Sequence, residues 1–111
     1  MTPAEILKAA KAKIEDPAHW CQGNYSHWVD DKTCQYCAEG AMFQTPCQEN
    51  GPASNDAWRF LREAAHERLV ACHLRFDRQR YDIVTVNDGL GHAETMKMFD
   101  RAIELAEADS Q

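Results

Sequence analysis

Residues 20–47 set the terms for any fold this chain can adopt. The stretches on either side repeat apolar residues at helical spacing, whereas this one keeps no sustained period. It holds four of the five cysteines (Cys21, Cys34, Cys37, Cys47), two of the three tryptophans (Trp20, Trp28) and His27, with His19 at its edge. A helical scaffold must therefore accommodate one irregular insert dense in sulfur and indole. At 111 residues the chain has room for one hydrophobic core and little for a second.

The flanking patterns are explicit. Thr2, Pro3 and Glu5 form a capping box with proline at the first helical position. They predict a helix to about Glu15, with Ile6, Leu7, Ala10 and Ile14 on its inner stripe and Pro17 as its stop. Residues 18–35 read as an ordered loop in which Tyr25 to Val29 suits a short strand. Tyr36 to Gln44 is small and apolar, a short buried helix ended by Thr45-Pro46. Cys47 to Asn55 is turn-rich and expected to be mobile.

Ser54 or Asn55 then caps the longest helix, whose Trp58, Leu61, Ala65, Leu69 and Cys72 recur every three or four residues to an end near Phe76. Tyr81 to Val86 is β-prone and runs into Asn87-Asp88-Gly89, a strand followed by a turn. The last helix starts around Gly91 with Ala93, Met96, Phe99, Ile103 and Ala106 inside, and residues 107–111 fray. The expectation is a mainly α, single-domain fold over residues 1–111, of about four helices with an ordered Cys/Trp-rich loop and at most a minor β element.

Eighteen acidic against twelve basic side chains give a net charge of −6, which disfavours nucleic acid and suits a protein partner with a basic surface. Met1 to Lys13 carries charges at Glu5, Lys8, Lys11 and Lys13 and lacks a signal-like apolar run, and no window approaches a membrane span. A cytoplasmic location follows as the expectation. There the cysteines are expected as thiols, metal ligands or small buried hydrophobes rather than disulfides.

Three chemistries fit the insert. Cys34-x-x-Cys37 with Cys21 and Cys47 is a candidate zinc site, with His19 or His27 able to replace a thiolate, although a convincing structural site shows two short-spaced pairs and here there is one. Cys37 at the start of a short helix is a candidate nucleophile, with His66, His73 or His92 as base and Asp88 or Asn87 to orient it. Simple packing accounts for the same residues: Gly40-Ala41 allows another helix or Trp20 to come close, Asn87-Asp88 can cap the last helix, and the tryptophans are large enough to dominate a small core. Arg59, Arg62, Arg68, Arg75, Arg78 and Arg80 make the middle of the chain basic, but the interleaved Glu63, Glu67, Asp77 and Asp82 mark a solvated face of ion pairs.

Trp20-x-Gln22-Gly23, Tyr36-Cys37-Ala38-x-Gly40-Ala41, Asn87-Asp88 and Asp100-x-Ala102-Ile103, in this order, resemble a family of small bacterial and phage-borne proteins, a domain of unknown function. The resemblance spans most of the chain and draws attention to Cys37, Gly40, Asn87 and Asp88. It implies no activity or cofactor. Cys34 stands three positions before Cys37, where the family more often places a second cysteine two before, and that departure weakens a zinc site built on this pair. The reading that follows is a small cytoplasmic protein acting by protein–protein binding or regulation, directed at a host protein, with the cysteine enzyme and the zinc module as alternatives.

Overall fold

A computed structural model of the chain describes residues 1–45 and 51–110. Helix α1 (Pro3–Ile14) begins as its sequence dictates: Thr2 Oγ1 accepts the Glu5 N–H at 3.2 Å, and Glu5 Oε1 accepts the Thr2 N–H at 2.8 Å. Its expected stripe of Ile6, Leu7, Ala10 and Ile14 is buried. Helices α3 (Pro52–Ala71) and α5 (His92–Asp109) pack on α1 and on each other to make the core, with α2 (Ala38–Gln44) laid against α1. Between α1 and α2 the chain makes a 3-10 turn (Pro17–His19) and a two-stranded antiparallel hairpin, β1 (Ser26–Trp28) with β2 (Cys34–Tyr36), in which Ser26 faces Tyr36 and Trp28 faces Cys34. The chain is thus a small, mainly helical domain with a minor β element.

Several sequence expectations need correction. The β-prone Tyr81 to Val86 is helical: α4 (Asp82–Thr85) continues into one turn of π-helix (Val86–Leu90). Ile83 and Val86 are both buried, a helical spacing that a strand's alternation would split, and Arg75 reaches both Asp82 (3.0 Å) and Thr85 (3.3 Å) across one helical turn. Helix α3 starts earlier than expected, with Gly51 as N-cap and Pro52 at its first position, so Ser54 and Asn55 lie inside its first turn. It also ends at Ala71, not Phe76. His73 adopts φ 60° there, and its N–H reaches the Val70 carbonyl (3.0 Å) while that of Leu74 reaches Leu69 (2.9 Å), a Schellman closure with histidine where glycine is usual.

The buried side of α5 is Thr95, Met98, Phe99, Ala102 and Ala106, so the true face is rotated from the expected one and leaves Ala93 exposed. Thr95 is tolerated inside because its hydroxyl donates to the Gly91 carbonyl at 2.8 Å. The expected fraying at 107–111 does not occur through Asp109, where α5 ends, and Lys8 pairs with Glu107 at 3.0 Å. Gln111 and residues 46–50, and with them the first part of the expected turn-rich stretch, lie outside the described residues.

The tryptophans do not dominate the core either. Trp28 is 63 % exposed on the hairpin, while Trp20 and Trp58 are half-buried at the margin. The insert lies mainly against α1 and the α4 turn rather than along α3, with Phe43 reaching Trp58.

The close approach expected at Gly40 is present, but its partner is backbone. A Cβ at Gly40 would stand 1.9 Å from the Tyr25 carbonyl oxygen, which also accepts the Cys37 N–H at 3.3 Å. This yields a prediction with a diagnostic sign. Helix propensity alone makes Gly→Ala stabilising by about 1 kcal/mol, whereas here Gly40→Ala should destabilise by about 1–3 kcal/mol through overpacking. Urea unfolding of the two proteins reads the difference directly, and a stabilised variant would contradict the packing.

Candidate functional site

The hairpin is anchored from its first residue. Asp16 Oδ1 accepts the Ala18 N–H at 2.9 Å, which turns the chain into extended Trp20, and Cys21 N–H then donates to the Tyr36 carbonyl at 3.0 Å. This places the Trp20 indole edge-on to His92, with ring centres 5.3 Å apart, and points its Nε1–H at Asn87 Oδ1, 2.7 Å away. The Ala38 N–H at the start of α2 donates to the same oxygen at 3.0 Å. Asn87 Nδ2 donates in turn to the Cys21 carbonyl (3.1 Å) and to Asp88 Oδ1 (2.8 Å). An amide offers two lone pairs and two N–H groups, and here all four are used at a residue only 1 % exposed.

Two neighbours complete the junction. Gln22 Nε2 donates to the carbonyls of Asn87 (3.2 Å) and Asp88 (3.1 Å), groups at the end of a helical run that need donors from elsewhere. The Gly23 N–H donates to Asp88 Oδ1 at 3.0 Å from a backbone with φ 82°, which a side chain would strain. The expectation that Asn87-Asp88 caps the last helix is therefore corrected: α5 has Gly91 as its N-cap with no side-chain bond, and Asn87 serves α2 and the hairpin instead.

Beside this junction lies a cleft of about 310 Å³. Gly23, Asn24 and Tyr25 form one wall, Cys37 and Glu39 another, and Val84, Asn87 and Asp88 the third. Cys37 is the N-cap of α2, and its Sγ accepts the Gly40 N–H at 3.4 Å. Burial pushes this thiol above its ordinary range, and the helix N–H groups of Gly40 and Glu39 that favour the thiolate do not offset it. It is thus a protonated sulfhydryl at neutral pH. The Glu39 carboxylate makes no hydrogen bond or ion pair among the described residues, and burial, then the charge of Asp88, raise its pKa above the usual carboxylate range.

The sequence candidates are only partly brought together. Cys37 and Asp88 share the cleft, but no histidine lines it. His66 sits elsewhere, its Nδ1 3.4 Å from Asp82 Oδ2 without a hydrogen bond, beside a buried carboxylate that Arg75 engages at 3.0 Å. His73 occupies the turn after α3, and His92 is held by the Ile14 carbonyl at 2.8 Å. Of the candidate zinc ligands, Cys21 Sγ faces the Asn24 carbonyl (3.4 Å) and Cys34 Sγ the Gln35 carbonyl (3.6 Å), and Cys47 lies outside the described residues. Among the described residues no group of three or more His, Cys, Asp or Glu is placed to hold a metal ion. The arginine-rich middle of the chain is paired as charge interleaving implies, Arg59 with Asp56, Arg75 with Asp82 and Arg78 with Glu63.

Sequence reasoning missed Glu39 and the rim of the cleft. Tyr25 and Phe43, 60 % and 61 % exposed, stack edge-to-face with centres 5.5 Å apart, and Phe43 continues onto Trp58 at 5.2 Å. No local signal marks Glu39; only its position in the first turn of α2, two residues after Cys37, points to it.

The chain belongs to a family of unknown function, DUF6197, whose sequence profile matches residues 1–105. No curated protein and no solved structure shows significant similarity to it. No helix among the described residues is long and apolar enough to cross a membrane.

The raised Glu39 pKa fixes the sign of a stability effect. The native state binds this proton more tightly than the unfolded chain does. Stability is therefore lost as pH rises from the unfolded value, ordinarily 4.5, through the higher folded one, and the loss is complete above it. Glu39→Gln should match the wild type in acid and become the more stable protein at neutral pH. Urea titrations across the carboxylate range measure this, and a gap that stays flat or reverses would refute the assignment.

Proposed function

We propose that this chain is a small cytoplasmic protein-binding module that docks on a basic face of a partner protein. Its docking surface is the stacked aromatic row beside the cleft, the exposed Tyr25 and Phe43 backed by the half-buried Trp58, and that row is the observation that carries the reading. Water-exposed aromatic rings held against one another forgo burial that the core would supply, and they are the side chains that anchor protein interfaces when a partner covers them. The net charge of −6 favours a basic partner by steering and by repelling acidic competitors. The resemblance to phage-borne proteins adds a host protein as the class of target.

A cysteine enzyme is the weaker account of the same residues. It requires a thiolate and a neighbouring base, whereas burial holds Cys37 protonated and no histidine lines its cleft. The test is site-specific crosslinking in cells. A photoreactive phenylalanine analogue at Phe43 should yield a discrete protein adduct, and one at exposed Ala93 on α5 should not. Phe43→Ala should leave the fold within about 1 kcal/mol, as expected for an exposed position, and reduce recovery of that partner at least tenfold, a loss of about 1.4 kcal/mol in binding. Equal adducts from both positions, or none from Phe43, would overturn the reading.

A further inference from the structure

We infer that the cleft is a receptor for one basic side chain, lysine or arginine, presented by the partner. This rests on the docking reading above and gives it its chemical specificity. Four observations converge. The cleft opens beside the Tyr25–Phe43 stack, since Tyr25 belongs to both, so a segment lying on the aromatic row passes its mouth. At about 310 Å³ it is at the small end of ligand sites, suited to one long side chain and cramped for a nucleotide cofactor.

Its walls offer a gradient of chemistry that matches such a side chain: the Tyr25 ring and Val84 to cover a methylene stem, and the carboxylates of Glu39 and Asp88 for a cationic head. Finally, the two acids differ in how they are held. Asp88 is fixed by the Gly23 N–H at 3.0 Å and by Asn87 at 2.8 Å, whereas Glu39 has no partner among the described residues, so it retains its full hydrogen-bonding capacity for an incoming donor.

The competing ligand classes fit less well. Phosphate would meet two carboxylates, and a metal ion would lack a third protein ligand among the described residues. Burial, then the Asp88 charge, hold the proton on Glu39; a cation between the two acids favours the ionised form against both, so binding releases a proton when Glu39 is protonated and weakens as pH falls through its titration.

The test uses the intact chain labelled with 15N and three probes: N-acetyl-lysine methylamide, N-acetyl-arginine methylamide and the neutral norleucine analogue. Saturable shifts of the Gly23, Glu39, Gly40 and Asp88 amides are expected with at least one cationic probe and not with norleucine. Glu39→Gln, chosen because Glu39 supports no other residue, should weaken that binding about tenfold, the scale of one charge-assisted hydrogen bond. Phe76→Ala, at an 86 % exposed position outside both the cleft and the aromatic row, should leave it unchanged. Equal shifts with norleucine, no saturable shift at these amides, or full affinity in Glu39→Gln would overturn the inference. Crosslinking at Phe43 with a silent cleft would sink the receptor alone, and a responsive cleft with no crosslinked partner would sink the docking reading while the cleft's preference stood.

Discussion

A single buried carboxamide holds the irregular half of this protein to the regular half. Asn87 Oδ1 takes the Trp20 indole N–H and the first amide of α2, while its Nδ2 gives to the Cys21 carbonyl and to Asp88. Elements distant in sequence, the entry to the hairpin, the start of the short helix and the π-turn before the last helix, meet on one group that has no unused bonding capacity. Aspartate would keep the acceptors and lose the donors, and a longer side chain would not fit the same span. The Ala38 amide is buried with it, so without Asn87 that donor would lose a hydrogen bond that water cannot replace.

The cleft follows from that junction. Asn87 and Asp88 belong to one wall, Gly23 is held to Asp88 on one side, and α2 presents Cys37 and Glu39 on the other because its first amide is tied to Asn87. Gly40 admits the Tyr25 carbonyl, which brings the Tyr25 ring to the rim and within stacking distance of Phe43. Structure-forming residues thus place a carboxylate without a partner among the described residues and an aromatic row side by side. The proposed function uses those two features and leaves the supporting network undisturbed. Cys37, the most conspicuous residue in the sequence, is part of the support: its sulfur caps α2 and its thiol stays protonated.

What the sequence revealed was local. The capping box at Thr2 and the stripe of α1 are short-range patterns, and the small residues of Tyr36 to Gln44 correctly announced a short buried helix. Most of the failures trace to tertiary contacts that outweighed local preference, and one to a local closure without its usual glycine. The β-branched run at Ile83 to Val86 becomes helical because Asp82 and Thr85 are both held by Arg75. Helix α3 stops early at a left-handed histidine that no glycine announces. Asn87 and Asp88 were legible as residues that matter and misread as a cap for the adjacent helix, because the partners that decide their role lie 49 to 67 positions away. Glu39 was invisible because what distinguishes it is the absence of a partner among the described residues, a property that only folding defines.

The most direct test of this account is the unfolding free energy of Asn87→Ala, with Trp20 fluorescence as the probe. The buried Ala38 amide and the part-buried Trp20 indole would both lose their acceptor. A loss of about 2–5 kcal/mol is expected, with Trp20 emission shifting toward that of a solvated indole in whatever native state survives. A variant within about 0.5 kcal/mol of the wild type, as for ordinary surface substitutions, and with unchanged Trp20 emission, would contradict the claim that this carboxamide organises the site.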